Sequence, residues 1–162
     1  MSSRSKIVIV GQAPGAKVHA SGVPWQDASG RKLREWLAVD DASFYDPDKF
    51  ALIPMGFCYP GKGSSGDLPP RKECAPLWHE RLFGEMKASS LVLLIGLYAQ
   101  NYYLKGRGHS TLTENVRSFQ DFLPKYLPLP HPSPRNRLWF IRNPWFQDEV
   151  LPELRARVKA EA

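Results

Sequence analysis

Four short apolar runs, separated by segments of helical periodicity, constrain the fold of this sequence more than any other feature. The runs lie at residues 7–10, 50–53 and 91–95, with a weaker one at residues 126–129. Continuous apolar runs of this length are typical of strands buried on both faces of a parallel sheet. Strands that alternate with helices are joined by right-handed crossovers, which place helices on both faces of the sheet. We therefore predict an α/β fold, a three-layer α/β/α sandwich around a central, mainly parallel four-stranded sheet.

Helical periodicity fills the intervals between the apolar runs. Helices are predicted to begin near Ser29, to run from about residue 74 to Met86, to follow Gly96, and to cover residues 113–123 and 147–162. Ser29 suits a helix N-cap, and Pro152 must either start or kink the last helix. The apolar stripe of the second helix is expected to comprise Cys74, Leu77, Trp78, Leu82 and Met86, with His79 on the helix surface.

Three long loops follow predicted strands, at residues 11–28, 54–70 and 130–137. The carboxyl ends of parallel strands lie at one edge of a sheet, and ligands of open α/β sheets bind beyond that edge. The first loop begins with GQAPG at Gly11, which matches neither the G-x-G-x-x-G dinucleotide fingerprint nor a P-loop. By itself this loop reads as a strand-terminating turn, but the convergence of three loops predicts a site here.

Composition limits the class of protein and its partners. The 162 residues are enough for one domain with a substantial core, so we predict a single domain over residues 1–162. The formal net charge of +6 fits a polyanionic partner. The apolar runs are too short to cross a bilayer, the polar start MSSRSK leaves no room for a signal peptide, and two cysteines form no disulfide framework. We therefore expect a cytoplasmic monomer that does not bind membranes.

The stretch LPHPSPRN, residues 129–136, is the second unusual segment. Its three prolines fix the backbone around His131 and Ser133. A rigidly held histidine at a strand end can donate a hydrogen bond to charge that develops in a transition state, although local backbone groups often satisfy such a histidine instead. Arg135 and Asn136 form a tip that could enter a nucleic-acid groove, with Arg135 filling the gap left by a displaced base.

The motifs GQAPG and HPSPRN, about 120 residues apart, together resemble the uracil-DNA glycosylase superfamily, and the resemblance covers nearly the whole chain. The stretch GQAPGAKVHASGVPWQDASGRKLREWL is similar to the first loop and helix of the iron–sulfur (family 4) members, and LVLLIGLYA to their third strand. The step from Cys58 to Cys74 matches the spacing of two of their cluster ligands. HPSPRN itself is more similar to the single-strand-selective monofunctional members.

The resemblance implies a role for each matched residue. Gln12 and Ala13 would lie under a flipped base and help to place a water, Trp25 would stack on the base, and His131 would stabilise the leaving base anion. A core tryptophan is the alternative for Trp25. On the DNA side, the resemblance implies backbone contacts for the turn at Pro14 and Gly15, and phosphate contacts and stack filling for Ser133, Arg135 and Asn136.

The cysteines depart from the iron–sulfur pattern. The sequence begins just before the first strand, so the pair of cysteines that precedes that strand in the relatives is missing, and two thiolates do not complete a four-cysteine cluster. We therefore predict no metal and no cofactor, and we expect Cys58 and Cys74 to be packing residues.

A second departure lies at the end of the second strand, where relatives carry an asparagine that reads the uracil edge. Pro54 stands at or near that position, and Met55, Gly56 and Phe57 supply no amide side chain either. A site without its reading group discriminates less well between bases. Pro54 and Phe57 are assigned to base binding, and either the backbone of residues 54–58 reads the base or the substrate is another deaminated base such as hypoxanthine.

The first motif also lacks the acidic residue with which several relatives activate water. Asp27 is the nearest acid in the same loop and is our candidate for this role, together with His131 and Gln12 as the catalytic group. A negative charge at a helix N-terminus is the equally simple alternative for Asp27. Asp67 is a weaker candidate, within a basic loop that suits phosphates or is merely solvated.

These expectations combine into a monofunctional DNA glycosylase of base-excision repair. It would flip a deaminated base, uracil first, out of DNA, hydrolyse its N-glycosidic bond and leave an abasic site. A non-catalytic binder of abasic or single-stranded DNA is the alternative, which the absence of the pocket asparagine and of the acidic residue in the first motif favours. A hydrolase of free nucleosides is a third, against which the basic charge and the Arg135 tip argue.

Overall fold

The computed structural model describes residues 1–161 and contains a four-stranded, all-parallel sheet between two layers of helices. Its strands are β1 (Ile7–Gly11), β2 (Phe50–Pro54), β5 (Leu91–Ile95) and β6 (Tyr126–Leu129), in the spatial order β2-β1-β5-β6. A separate antiparallel hairpin is formed by β3 (Lys62–Gly63) and β4 (Gly66–Asp67). The predicted fold class and all four predicted strands are confirmed.

Eight α-helices surround the sheet among the described residues. They are α1 (Ala16–Ser21), α2 (Ala28–Leu37), α3 (Asp41–Phe44), α4 (Cys74–Glu85), α5 (Leu97–Tyr103), α6 (Leu112–Arg117), α7 (Arg137–Arg142) and α8 (Leu151–Glu161). Shorter 3-10 helices cover Phe119–Phe122 and Pro134–Asn136, and a π-helical turn covers Phe146–Val150. No helix within residues 1–161 combines the length and the apolar character that a membrane crossing requires.

Alternate residues of the strands face two separate cores. Ile7 and Ile9 of β1 pack in one core with α2, α8 and the π-helical turn, whereas Val8 and Val10 pack in the other with α4 and α5. Both faces of the sheet are therefore covered, which explains the continuous apolar runs of its strands.

Four helix predictions need correction. The cap of α2 is Asp27 rather than Ser29, and Leu77 and Trp78 of α4 are exposed instead of forming a buried stripe. The segment 113–123 breaks after Arg117 into a 3-10 turn. The last predicted helix begins with the π-helical turn, which runs directly into α8, and Pro152 is the second residue of α8 within this helical run.

The strand register aligns the loops that carry the predicted site. Gly11 pairs with Pro54 and Ile95 pairs with Leu129, so the carboxyl ends of all four strands lie at one edge. The predicted loops contain short elements of their own at this edge: α1, the β3–β4 hairpin and the 3-10 turn Pro134–Asn136.

Candidate active site

A cavity of about 730 Å³ opens at the carboxyl edge of the sheet. It is lined by every residue that the sequence assigned to the site except Phe57, namely Gln12, Ala13, Pro14, Gly15, Trp25, Asp27, Pro54, His131, Ser133, Arg135 and Asn136. Residues 65–67 of the hairpin line it as well. Segments separated by more than 100 residues in sequence thus meet in one cleft.

The loops after β1 and β2 are joined by hydrogen bonds beyond the end of the sheet. The N–H of Met55 donates to the Gly11 carbonyl and the N–H of Gly56 donates to the Gln12 carbonyl, both at 2.9 Å. Since proline has no N–H, residues 54–56 offer only carbonyl acceptors to a ligand. The side chain of Gln12 lies over Gly96, the N-cap of α5, where a Cβ would approach its Nε2 to 3.1 Å.

The backbone of Trp25 has a left-handed conformation, with φ of +59°, which is rare for an aromatic residue. Three features hold it there. The hydroxyl of Tyr45 donates to the Pro24 carbonyl at 2.9 Å, and the guanidinium of Arg34 donates to the Trp25 carbonyl at 3.2 Å. Gly30 leaves space for that carbonyl, because a Cβ at this position would lie 1.7 Å from its oxygen. Strain that the surroundings maintain in this way is common at functional sites.

Arg34 is a site-supporting residue that the sequence did not reveal. It is 8% exposed, forms an ion pair with Asp41 at 2.7 Å and lies over the ring of Phe44. Its acceptor in the site is a backbone carbonyl of a strained turn. No motif or periodicity identifies such a partner.

The indole of Trp25 connects the end of β1 to the His131 loop. It stacks on the His131 ring with a centroid separation of 5.8 Å and an interplanar angle of 28°. Its other contact is Gly11, where a Cβ would lie 2.8 Å from Trp25 Cζ2, so only glycine fits beneath the ring. Trp25 also packs against the hydrophobic core. It is therefore both a core contact and a residue of the cavity wall.

Asp27 caps α2 and also acts electrostatically on His131. Its Oδ1 accepts the N–H of Gly30 at 2.8 Å, as the alternative interpretation of this residue expected. Burial lowers the pKa of His131 below its usual value, and the negative charge of Asp27 opposes that shift. His131 is consequently neutral at pH 7, with one ring N–H available for donation.

The HPSPRN loop is held by its own side chains. The amide of Asn136 donates to the His131 carbonyl at 2.8 Å, and Ser133 Oγ accepts the N–H of Arg135 at 3.3 Å. One N–H of the Asn136 amide thus has a structural contact within this loop, and Asn136 also lines the cavity. The guanidinium of Arg135 lies against Gly66 of the hairpin, where a Cβ would approach its Nη1 to 2.6 Å.

His79 and Phe57 differ from their predicted positions. His79 is 2% exposed rather than on the helix surface, and its Nε2 lies 3.0 Å from the Pro54 carbonyl. A carbonyl only accepts, so Nε2 carries the proton and Nδ1 accepts from the Tyr103 hydroxyl. Burial lowers the pKa of His79. Phe57 is exposed beside the His79 ring and does not line the cavity.

The cysteines do not fit an iron–sulfur cluster. Cys58 is exposed and Cys74 is half-buried, so the prediction that Cys58 is a packing residue was wrong. Such a cluster needs four thiolates, and the sequence contains two. Within residues 1–161, no group of three or more His, Cys, Asp or Glu side chains could hold a metal ion.

One family comparison bears on the identity of the chain. The model of the uracil DNA glycosylase superfamily matches residues 1–155, which include both sequence motifs and every residue of the cavity wall. This match agrees with the resemblance seen in the sequence. The chain therefore belongs to the uracil DNA glycosylase superfamily.

Proposed function

We propose that this protein hydrolyses the N-glycosidic bond of a deaminated base flipped out of DNA, with uracil as the first candidate. Superfamily membership supports a glycosylase hydrolase that acts on DNA. The observation that carries the finer proposal is the stack of Trp25 on a neutral His131, with Asp27 in the same cavity. An aromatic ring, a neutral N–H donor and a carboxylate are the groups that this reaction requires.

Each of these groups stabilises a charge or contacts a surface of the reacting nucleotide. Cleavage places negative charge on the leaving base and positive charge on the sugar. The N–H of His131 stabilises the base anion, and one such contact is worth about 3 kcal/mol. One oxygen of Asp27 caps α2, which leaves the other to stabilise the cationic sugar or to orient a water. The ring of Trp25 offers the apolar surface against which an extruded base stacks.

The acceptors at the end of β2 favour deaminated bases. Deamination converts the N3 acceptor of cytosine into the N3–H donor of uracil, and the N1 acceptor of adenine into the N1–H donor of hypoxanthine. The carbonyl of Pro54, oriented by His79, can accept such an N–H. It would face the lone pair of an undamaged cytosine or adenine, and two acceptors in contact repel each other. This backbone group can thus replace the missing asparagine in part.

The test is base release from single- and double-stranded oligonucleotides that each carry one uracil, hypoxanthine or xanthine. We expect release by the wild type, and a fall on the order of 100-fold or more for His131→Ala. His109→Ala is the matched control, because His109 is exposed and lies outside the cavity. Tight binding without base release would mean that the protein is a non-catalytic lesion binder and not an enzyme. The absence of both binding and base release would overturn the DNA assignment.

A further inference from the structure

A second cavity, of about 500 Å³, lies beside the active-site cavity. Ala28, Ser133 and Pro134 line both cavities, so the two are adjacent and the ridge between them includes part of the HPSPRN loop. The second cavity lies between α2 and α7, and we call it the α2–α7 groove. None of the residues assigned to catalysis or base binding lines it.

The charges of the α2–α7 groove are mainly positive. Arg31 and Lys32 come from α2 and Arg137 from α7. Lys32 is neutralised by Glu35 at 2.8 Å. Arg31 and Arg137 are exposed, and no ion pair or side-chain hydrogen bond involves either of them within residues 1–161. The groove therefore presents two guanidinium groups that are free to bind an anion.

The remaining wall is apolar. Phe140 and Ile141 of α7 line the groove, and Ile141 is 63% exposed although its side chain is aliphatic. Two guanidinium groups beside an exposed apolar surface suit a phosphodiester that carries a sugar and a base, since the arginines bind phosphate oxygens and the apolar wall contacts the rest.

We infer that the α2–α7 groove binds a backbone phosphate of the DNA strand that flanks the flipped nucleotide. The inference rests on the proposed function, because it takes the strand to leave the active-site cavity across the Ser133–Pro134 ridge. The charge and the position of the groove both favour this occupant. The groove is basic and the substrate is a polyanion, and the groove shares a wall with the active-site cavity.

The test compares two double variants that remove the same charge. Arg31→Gln/Arg137→Gln changes the groove, whereas Arg81→Gln/Lys87→Gln removes two exposed cations at α4 and beyond its end, outside both cavities. The probe is a labelled single-stranded oligonucleotide with one central abasic-site analogue, long enough to extend well past the cavity on both sides. Binding is measured from about 50 to 200 mM salt.

We expect the groove variant to lower the slope of log K against log salt by about 0.7, which is the counterion release of one single-strand phosphate contact. Its affinity at low salt should fall about tenfold. The control variant should retain the wild-type slope, and Arg31→Lys/Arg137→Lys should restore most of the lost slope because it keeps both charges.

Failure of the groove inference and failure of the proposed function give different results. If the wild type binds the probe and the groove variant keeps the slope of the control, the groove has no phosphate contact and the inference is overturned while the proposed function stands. If the wild type does not bind the probe at all, the inference is overturned, and the proposed function fails with it where base release is absent as well. Thermal melting of each variant checks that the exposed substitutions leave the fold intact.

Discussion

At the residue scale, the missing side chain of Gly30 determines where Trp25 can lie. A Cβ at Gly30 would meet the carbonyl oxygen, the carbonyl carbon and the Cα of Trp25, and backbone atoms of a strained turn cannot move aside cheaply. We therefore predict that Gly30→Ala destabilises the fold by about 1–3 kcal/mol and lowers base release, since the indole loses its stack on His131. Denaturant unfolding and an oligonucleotide cleavage assay measure the two effects.

Gly84→Ala is the matched control for this prediction. Gly84 lies in α4, and a Cβ there has no neighbour within 4 Å. The better helix propensity of alanine should raise the free energy of unfolding by up to about 1 kcal/mol without changing base release. Equal effects of the two substitutions would show that Gly30 is only a helix glycine and that its contact with Trp25 has no consequence.

At the element scale, a buried amide network attaches α5 and α6 to the strand that leads to His131. Gln100 of α5 is fully buried and donates to the Leu129 carbonyl at 3.0 Å, while its oxygen accepts from Asn115 of α6 at 3.2 Å. Asn115 in turn accepts the N–H of His109 at 2.7 Å. Leu129 ends β6, two residues before His131, so this network fixes the start of the catalytic loop.

We predict that Gln100→Leu lowers the free energy of unfolding by about 1–3 kcal/mol, because it leaves the Asn115 amide buried without an acceptor. Urea denaturation gives this value directly. Gln120→Leu, on the exposed side of the 3-10 turn, is the control and should change stability by less than about 0.5 kcal/mol. A similar loss in both variants would mean that the effect of Gln100→Leu does not come from the buried network.

The elements also show which parts of the structure the sequence could predict. The strands were found within one residue because burial on both faces leaves continuous apolar runs. The prediction of the buried face of α4 was wrong because Leu77 and Trp78 are apolar residues of a type common in cores. His79 is buried instead, through partners distant in sequence, Tyr103 and the Pro54 carbonyl. Loop placement predicted where the cavity lies, and the resemblance to the superfamily indicated most of its wall residues. The support of Trp25 by Arg34 depends on a backbone conformation that no pattern encodes.

At the scale of the whole molecule, two histidines couple folding to pH. Burial lowers the pKa of His79 and of His131, so the folded protein keeps both neutral where the unfolded chain, with values near 6.5, takes up protons. The groups that face His79 are the Tyr103 hydroxyl, the Pro54 carbonyl and the rings of Phe57, Phe83 and Tyr102. None of these carries a compensating negative charge at neutral pH.

Because the unfolded state binds more protons below about pH 6.5, the free energy of unfolding should be constant near pH 7 to 8 and fall as the pH drops towards 5. Each histidine that stays neutral contributes up to about 1.4 kcal/mol per pH unit. We predict that His79→Gln is less stable than the wild type at pH 8 but has a flatter pH dependence, since one of the two groups no longer titrates. Urea denaturation across this range measures both quantities. Parallel curves for the two proteins would mean that His79 takes up its proton equally in the folded and unfolded states, and that His131 or another group causes the acid sensitivity.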